Sequence, residues 1–237
     1  MCMKVSLLVF SMLLALALPG LGELAVGWAE AGRDLASLLS SYAPVELYRQ
    51  RLALWRLSGG EPPSAEHALA ALGEVGQRLS ELGALLLTLP GGEGAFPALQ
   101  TASTVLPQLA TVVGETGQGL EELPAAELDE FMAALEGGRR ALDDLLLAAA
   151  DAAAAAGGGW EFQTAFLAQS VLLSPSPLYL RIQEEWAVYL RQNAPPGTPP
   201  GVVAALEELL TLANRGLSLE QEETARAAAR AILDGLL

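Results

Sequence analysis

Residues 124–156 read PAAELDEFMAALEGGRRALDDLLLAAADAAAAA, and the spacing of their apolar positions decides the fold class. Leu128, Phe131, Leu135, Leu142, Leu145, Ala149 and Ala152 follow a three-four rhythm interrupted only at Gly138. That rhythm puts one narrow apolar stripe along one side of a helix. At a rise of about 1.5 Å per residue the helix is roughly 50 Å long, and it needs partners of the same period to be stable in water. Pro124 suits its first turn. Gly137-Gly138 predicts a bend, and the five alanines from Ala152 to Ala156 favour helix and let neighbours approach closely.

Moving toward the N-terminus, the chain supplies those partners. Phe96, Leu99, Leu106, Ala110 and Val113 mark a helix with Pro107 inside it, where a kink is expected because proline removes a main-chain donor. Residues 95–114 carry no charge, yet Pro97, Gln100, Ser103, Thr104, Pro107 and Gln108 make them a poor lipid-facing segment, and they read as a buried helix. Before them, Ala65, Ala68, Leu72, Val75, Leu79, Leu82, Leu86 and Leu89 form an unbroken stripe, preceded by Pro62-Pro63-Ser64 with Ser64 placed to cap it. Gly76 and Gly83 sit seven apart beside that stripe. Each glycine costs a helix up to about 1 kcal/mol relative to alanine, so the pair predicts a backbone passing close by. Earlier still, Leu24, Trp28, Ala31, Leu35, Leu38 and Tyr42 define a helix ended by Pro44, and Val45, Tyr48, Leu52 and Trp55 continue in a shorter one. Arg49, Arg51 and Arg56 decorate its other sides.

Gly157-Gly158-Gly159 marks a boundary, and composition changes after it. Trp160, Phe162, Phe166, Tyr179, Trp186 and Tyr189 crowd together, whereas residues 64–156 hold only Phe96 and Phe131 among the aromatics. Helices are expected at about 160–173, 177–193, 201–214 and 219–236, with Ser176-Pro177 and a capping box of Ser218 and Gln221 as start signals. No segment alternates like a strand. The reading is all-α: a multi-helix bundle over residues 23–158 with heptad-like apolar stripes, then an aromatic-rich C-terminal helical section, 159–237, packed on the bundle or tethered to it.

Residues 1–22 read as an export signal. Lys4 is the one early charge, Val5 to Leu18 is an apolar core, and Pro19-Gly20-Leu21-Gly22 offers small residues for cleavage before Glu23. The competing reading is an uncleaved anchor over residues 5–22, the only expected contact with a membrane. Cys2 is the sole cysteine, so a chain starting at Glu23 is cysteine-free, which excludes disulfides, thiolate nucleophiles and thiolate metal sites. Lys4 is also the only lysine, so the other twelve of the thirteen basic residues are arginines; with the abundance of Ala, Leu, Gly and Pro, this fits codon usage in a GC-rich bacterial genome. Against 28 acidic residues the net charge is −15, which opposes nucleic acid and anionic membrane surfaces.

Chemistry is mostly excluded by counting. His67 is the only histidine, so paired Glu-x-x-His di-iron motifs and His-Glu-x-x-His zinc sites are absent, and no metal or cofactor is expected. His67 sits among Ser, Ala and Glu in a first helical turn and reads as exposed. Glu136, Arg139, Arg140 and Asp144 are spaced to pair along one surface. Glu161, between Trp160 and Phe162, is the one weak catalytic candidate: a carboxyl among aromatics holds its proton more readily and suits a sugar-cleaving acid. Trp160, Phe162, Phe166, Tyr179, Trp186 and Tyr189, flanked by Arg181, are either core or the lining of an apolar ligand pocket. The expected function is a non-enzymatic, exported envelope or periplasmic protein, structural or acting through a protein partner or a second copy. A carrier of an apolar small molecule is the alternative, and a wall-sugar hydrolase using Glu161 comes third.

Overall fold

The computed structural model describes residues 3–117, 119–174, 184–213 and 219–237, with side chains described from Gly22 onward except at 184–185, 213 and 219–220. The protein is an all-α helical bundle with no strand among the described residues. Its helices are α1 (Met3–Ser41), α2 (Ala43–Ser58), α3 (Glu66–Thr88), α4 (Phe96–Thr116), α5 (Ala125–Ala156), α6 (Gly159–Leu173), α7 (Glu184–Gln192), α8 (Pro200–Ala213) and α9 (Leu219–Leu236). Short 3-10 turns at Gly92–Ala95 and Leu120–Glu122 lead into α4 and α5.

The stripes go inward. Leu128, Phe131, Leu135, Leu142, Leu145, Ala149 and Ala152 of α5 are all buried, as are Ala68, Leu72, Val75, Leu79, Leu82 and Leu86 of α3. They meet Trp28, Leu35, Leu38 and Tyr42 of α1 and Leu106, Leu109 and Val113 of α4 in one apolar cluster. Removing the apolar area of these side chains from water, at about 25 cal/mol per Å², is the main force holding the helices together. α4 is buried along one side only; Thr101, Ser103, Thr104 and Pro107 are exposed, so the uncharged run is amphipathic and not enclosed on all sides. Pro107 lies within α4 without ending it.

Chain punctuation follows local chemistry. α2 starts with Pro44 in its first turn, where the missing N–H would have had no helical acceptor. At the head of α3 the N-cap is Ala65, which has no side-chain cap, and Ser64, one residue earlier than a cap requires, accepts from the Glu66 amide at 3.3 Å. Gly157 ends α5 in the left-handed conformation, at φ 87°, which glycine adopts without strain. Ser176-Pro177 and Ser218 lie outside the described residues.

Gly137-Gly138 does not divide α5, which runs unbroken from Ala125 to Ala156. Gly138 is a notch: a Cβ there would stand 2.6 Å from both the Tyr42 hydroxyl and Leu109. The Tyr42 hydroxyl enters that notch to donate to the Leu135 carbonyl at 2.8 Å. Burial pushes the Tyr42 phenol well above its ordinary range, so it stays a donor. The close approach expected at Gly76 and Gly83 is not there. Gly76 has nothing within 4 Å of its Cβ position, and Gly83 meets only the Leu99 side chain at 3.2 Å. The tight backbone crossing is at Gly32 of α1, where a Cβ would run into the Phe162 carbonyl of α6.

α2 lies antiparallel to α5, since Arg49 pairs with Glu136 at 3.7 Å while Arg56, seven residues on, pairs with Asp129, seven residues back. On α5 itself, Arg140 pairs with Glu136, and Arg139 takes Asp143, one turn away, in place of Asp144.

A second apolar cluster joins Ala165, Leu167, Ala168 and Val171 of α6 to Leu190 of α7, Leu206 and Leu209 of α8, and Ala229 and Ile232 of α9. Helix α6 takes part in both clusters, because Phe162 and Phe166 belong to the first. Among the described residues no helix is long and apolar enough to cross a membrane; the side chains of Val5 to Leu18 lie outside them.

Candidate functional site

Helix α6 positions the aromatic group. It runs parallel to α1: Gly158 abuts Trp28, the Phe162 carbonyl faces Gly32, and the Gln169 amide donates to the Ser37 hydroxyl at 3.0 Å. This register sends the aromatics in different directions. Phe162 turns into the bundle, edge-on to Trp28 at 6.3 Å between ring centroids. Phe166 meets Trp186 of α7 edge-on at 6.1 Å, and the Trp160 indole donates to the Leu190 carbonyl at 2.8 Å. Trp186 and Tyr189 are 38% and 53% exposed, so they present ring surface to solvent. Tyr179 and Arg181 lie outside the described residues. Arg191 stands 3.7 Å from Glu207 of α8.

Glu161, in the first turn of α6, is half-buried, and its Oε2 is closed to solvent without a hydrogen-bond partner. Burial raises its pKa above the usual carboxylate range, opposed by a hydrogen bond from its own amide. The carboxyl is therefore a better proton holder than a surface glutamate. No group of three or more acid, histidine or cysteine side chains is arranged to hold a metal among the described residues. Among the described residues three other buried polar atoms have no partner: Trp28 Nε1, Tyr48 Oη and Thr164 Oγ1. The Tyr48 phenol, pushed up to about 12 by burial, remains protonated at neutral pH.

Two surface features were not singled out from the sequence. On α2, Leu47, Leu54 and Leu57 are 48%, 64% and 85% exposed. At 3.6 residues per turn they fall within an arc of about 80°, away from the buried Val45, Tyr48 and Leu52. Arg51 sits beside them, exposed and without an ion pair among the described residues. The signal available in the sequence was a set of leucines left over once the inward stripe of α2 had been assigned.

The second feature surrounds His67, which is exposed as expected. It lines two adjoining grooves, one between α1, α3 and the end of α6, the other between the end of α1, the first half of α2 and the start of α3. In one of them Glu74 accepts from Arg78 at 2.9 Å and from Ser41 at 3.0 Å. The other contains Arg51 and has no carboxylate in its lining.

No family model matches the chain, and neither the curated proteins nor the solved structures gave a match.

Proposed function

We propose that the protein is an exported, non-enzymatic component of the cell envelope that works by presenting α2 to a protein partner. The observation that supports this is the outward leucine face of Leu47, Leu54 and Leu57. Single exposed leucines are ordinary, whereas three on one arc of one helix form a stripe of the kind that helical partners cover. Arg51 gives the face a positive charge inside a chain of net charge −15, so the complementary partner carries an apolar stripe flanked by carboxylates. The apolar run Val5 to Leu18 followed by small residues before Glu23 supports export.

The test is site-specific photo-crosslinking in the native cells. A crosslinking residue at position 54 or 57 is expected to give a discrete adduct with one protein. The same residue at Leu147, an isolated exposed leucine of α5, is expected to give none. Equal yields at all three positions, or no adduct at any, refute the reading. N-terminal sequencing of the recovered protein tests cleavage, with Glu23 expected first.

A second reading, a carrier of an apolar small molecule, is favoured by the exposed rings of Tyr189 and of Trp186, the latter edge-on to Phe166. Native mass spectrometry of gently purified protein distinguishes it, since a carrier retains a fixed extra mass.

A further inference from the structure

The groove shared by α1, α2 and α3 beside Arg51 has a volume of about 580 Å³, a size suited to a small ligand. Its lining combines apolar and polar side chains. Pro44, Leu47 and Tyr48 supply apolar surface, and Ser40, Ser64, His67 and Arg51 supply polar groups. No carboxylate lines it, in a chain with 28 acidic residues against 13 basic ones. Arg51 is fully available, because Arg49 is tied to Glu46 and Glu136, Arg56 to Asp129, and Arg51 to no acid among the described residues. The adjoining groove, which shares Ser40, Pro44 and His67, contains Glu74, but that carboxylate is already engaged by Arg78 and Ser41.

We propose that this groove binds a small amphiphilic carboxylic acid, with the carboxylate on Arg51 and His67 and the apolar body against Pro44, Leu47 and Tyr48. A guanidinium offers two parallel N–H donors that match a carboxylate, and the neighbouring hydroxyls of Ser40 and Ser64 donate to the same oxygens. A cationic ligand finds no counter-charge in this lining, and an uncharged apolar one leaves Arg51 without a partner. The groove adjoins the partner face and shares Leu47 and Arg51 with it, so crosslinking of that face is read at Leu54 and Leu57, neither of which lines the groove.

The probe is octanoate, titrated into isotope-labelled protein purified from an exporting host and followed by amide chemical shifts. Saturable shifts are expected at Ser40, Leu47, Tyr48, Ser64 and His67. Arg51→Gln is expected to weaken octanoate about tenfold, the usual consequence of losing one charge-assisted contact. Arg226→Gln on α9 leaves binding unchanged, and 1-octanol binds more weakly than octanoate. His67→Gln, weakening binding severalfold, is the second variant should Arg51→Gln not fold. Non-saturating shifts, shifts centred elsewhere, 1-octanol binding as tightly as octanoate, or a folded Arg51→Gln protein with wild-type affinity would overturn the proposal.

Discussion

Gly137 and Gly138 are neighbours in one helix, yet alanine at the two positions is expected to change stability in opposite directions. In a helix interior, replacing glycine by alanine gains about 1 kcal/mol from backbone entropy and propensity. At Gly137 nothing lies within 4 Å of the Cβ position, so Gly137→Ala keeps most of that gain. At Gly138 the new methyl would stand 2.6 Å from both the Tyr42 hydroxyl and Leu109. Carbon contacts settle near 3.5–4.0 Å, so each neighbour must retreat by about 1 Å. Tyr42 is buried to 1% exposure and held by its 2.8 Å bond to the Leu135 carbonyl, so it cannot retreat without losing that bond. Overpacking costs about 1–3 kcal/mol and the lost hydrogen bond about 1, which outweigh the propensity gain and leave Gly138→Ala destabilised by about 1–3 kcal/mol.

For a chain of this size 1 kcal/mol corresponds to a Tm change of about 2–4 °C. Thermal and urea unfolding followed by far-UV circular dichroism should place Gly137→Ala a few degrees above wild type and Gly138→Ala several degrees below. Tyr42→Phe removes one of the two clashing atoms. In that background Gly138→Ala should therefore cost about 1 kcal/mol less, a coupling that a double-mutant cycle reads directly. A Gly138→Ala protein at or above wild-type stability would refute the notch, and additivity with Tyr42→Phe would show that the hydroxyl does not occupy it.

Two further outcomes follow from the same contacts and from burial. Gly32→Ala, which drives a methyl into the Phe162 carbonyl, is expected to cost about 2–4 kcal/mol, because backbone in a packed helix pair cannot give way as a side chain does. Gly76→Ala, facing open space, should stabilise by up to about 1 kcal/mol, and urea midpoints in the reverse order would place the α1–α6 crossing elsewhere. Burial raises the Glu161 pKa in the folded protein, so the folded chain binds this proton more tightly than the unfolded one. Its stabilising effect is complete below the unfolded carboxyl pKa and is lost as pH rises through the folded value. Glu161→Gln should accordingly have a higher Tm than wild type at neutral pH, with the advantage shrinking as pH falls into the ordinary carboxylate range. A Tm difference that does not change with pH would mean that Glu161 is not desolvated.

The helical stripes were legible because burial on a helix repeats with the turn, so Leu72, Val75, Leu79 and Leu82 announce their own inward side. Which glycine meets a neighbour depends on where two helix axes cross, a property of two elements that one element's period does not contain. Gly76 and Gly83 shared an angular position and met no backbone, while Gly32 and Gly138 gave no such pattern. The aromatics of α6 and α7 were equally opaque, since α6 is covered on several sides, with Phe162, Ala165, Leu167, Ala168 and Val171 all buried. A helix without a polar side has no stripe from which to infer a direction, and Phe162 and Trp186 end up in different surroundings despite their proximity in sequence. A stripe also says nothing of what touches the outer side of a helix. Subtracting the inward positions from α3 leaves Leu87 strongly exposed, and from α5 Leu147, each a single leucine that solvent tolerates. The same subtraction on α2 leaves three leucines on one arc, with Arg51, unpaired among the described residues, beside them. Leftover apolar content becomes informative about function when it repeats on one helix, because only repetition creates an area large enough to reward a partner for covering it.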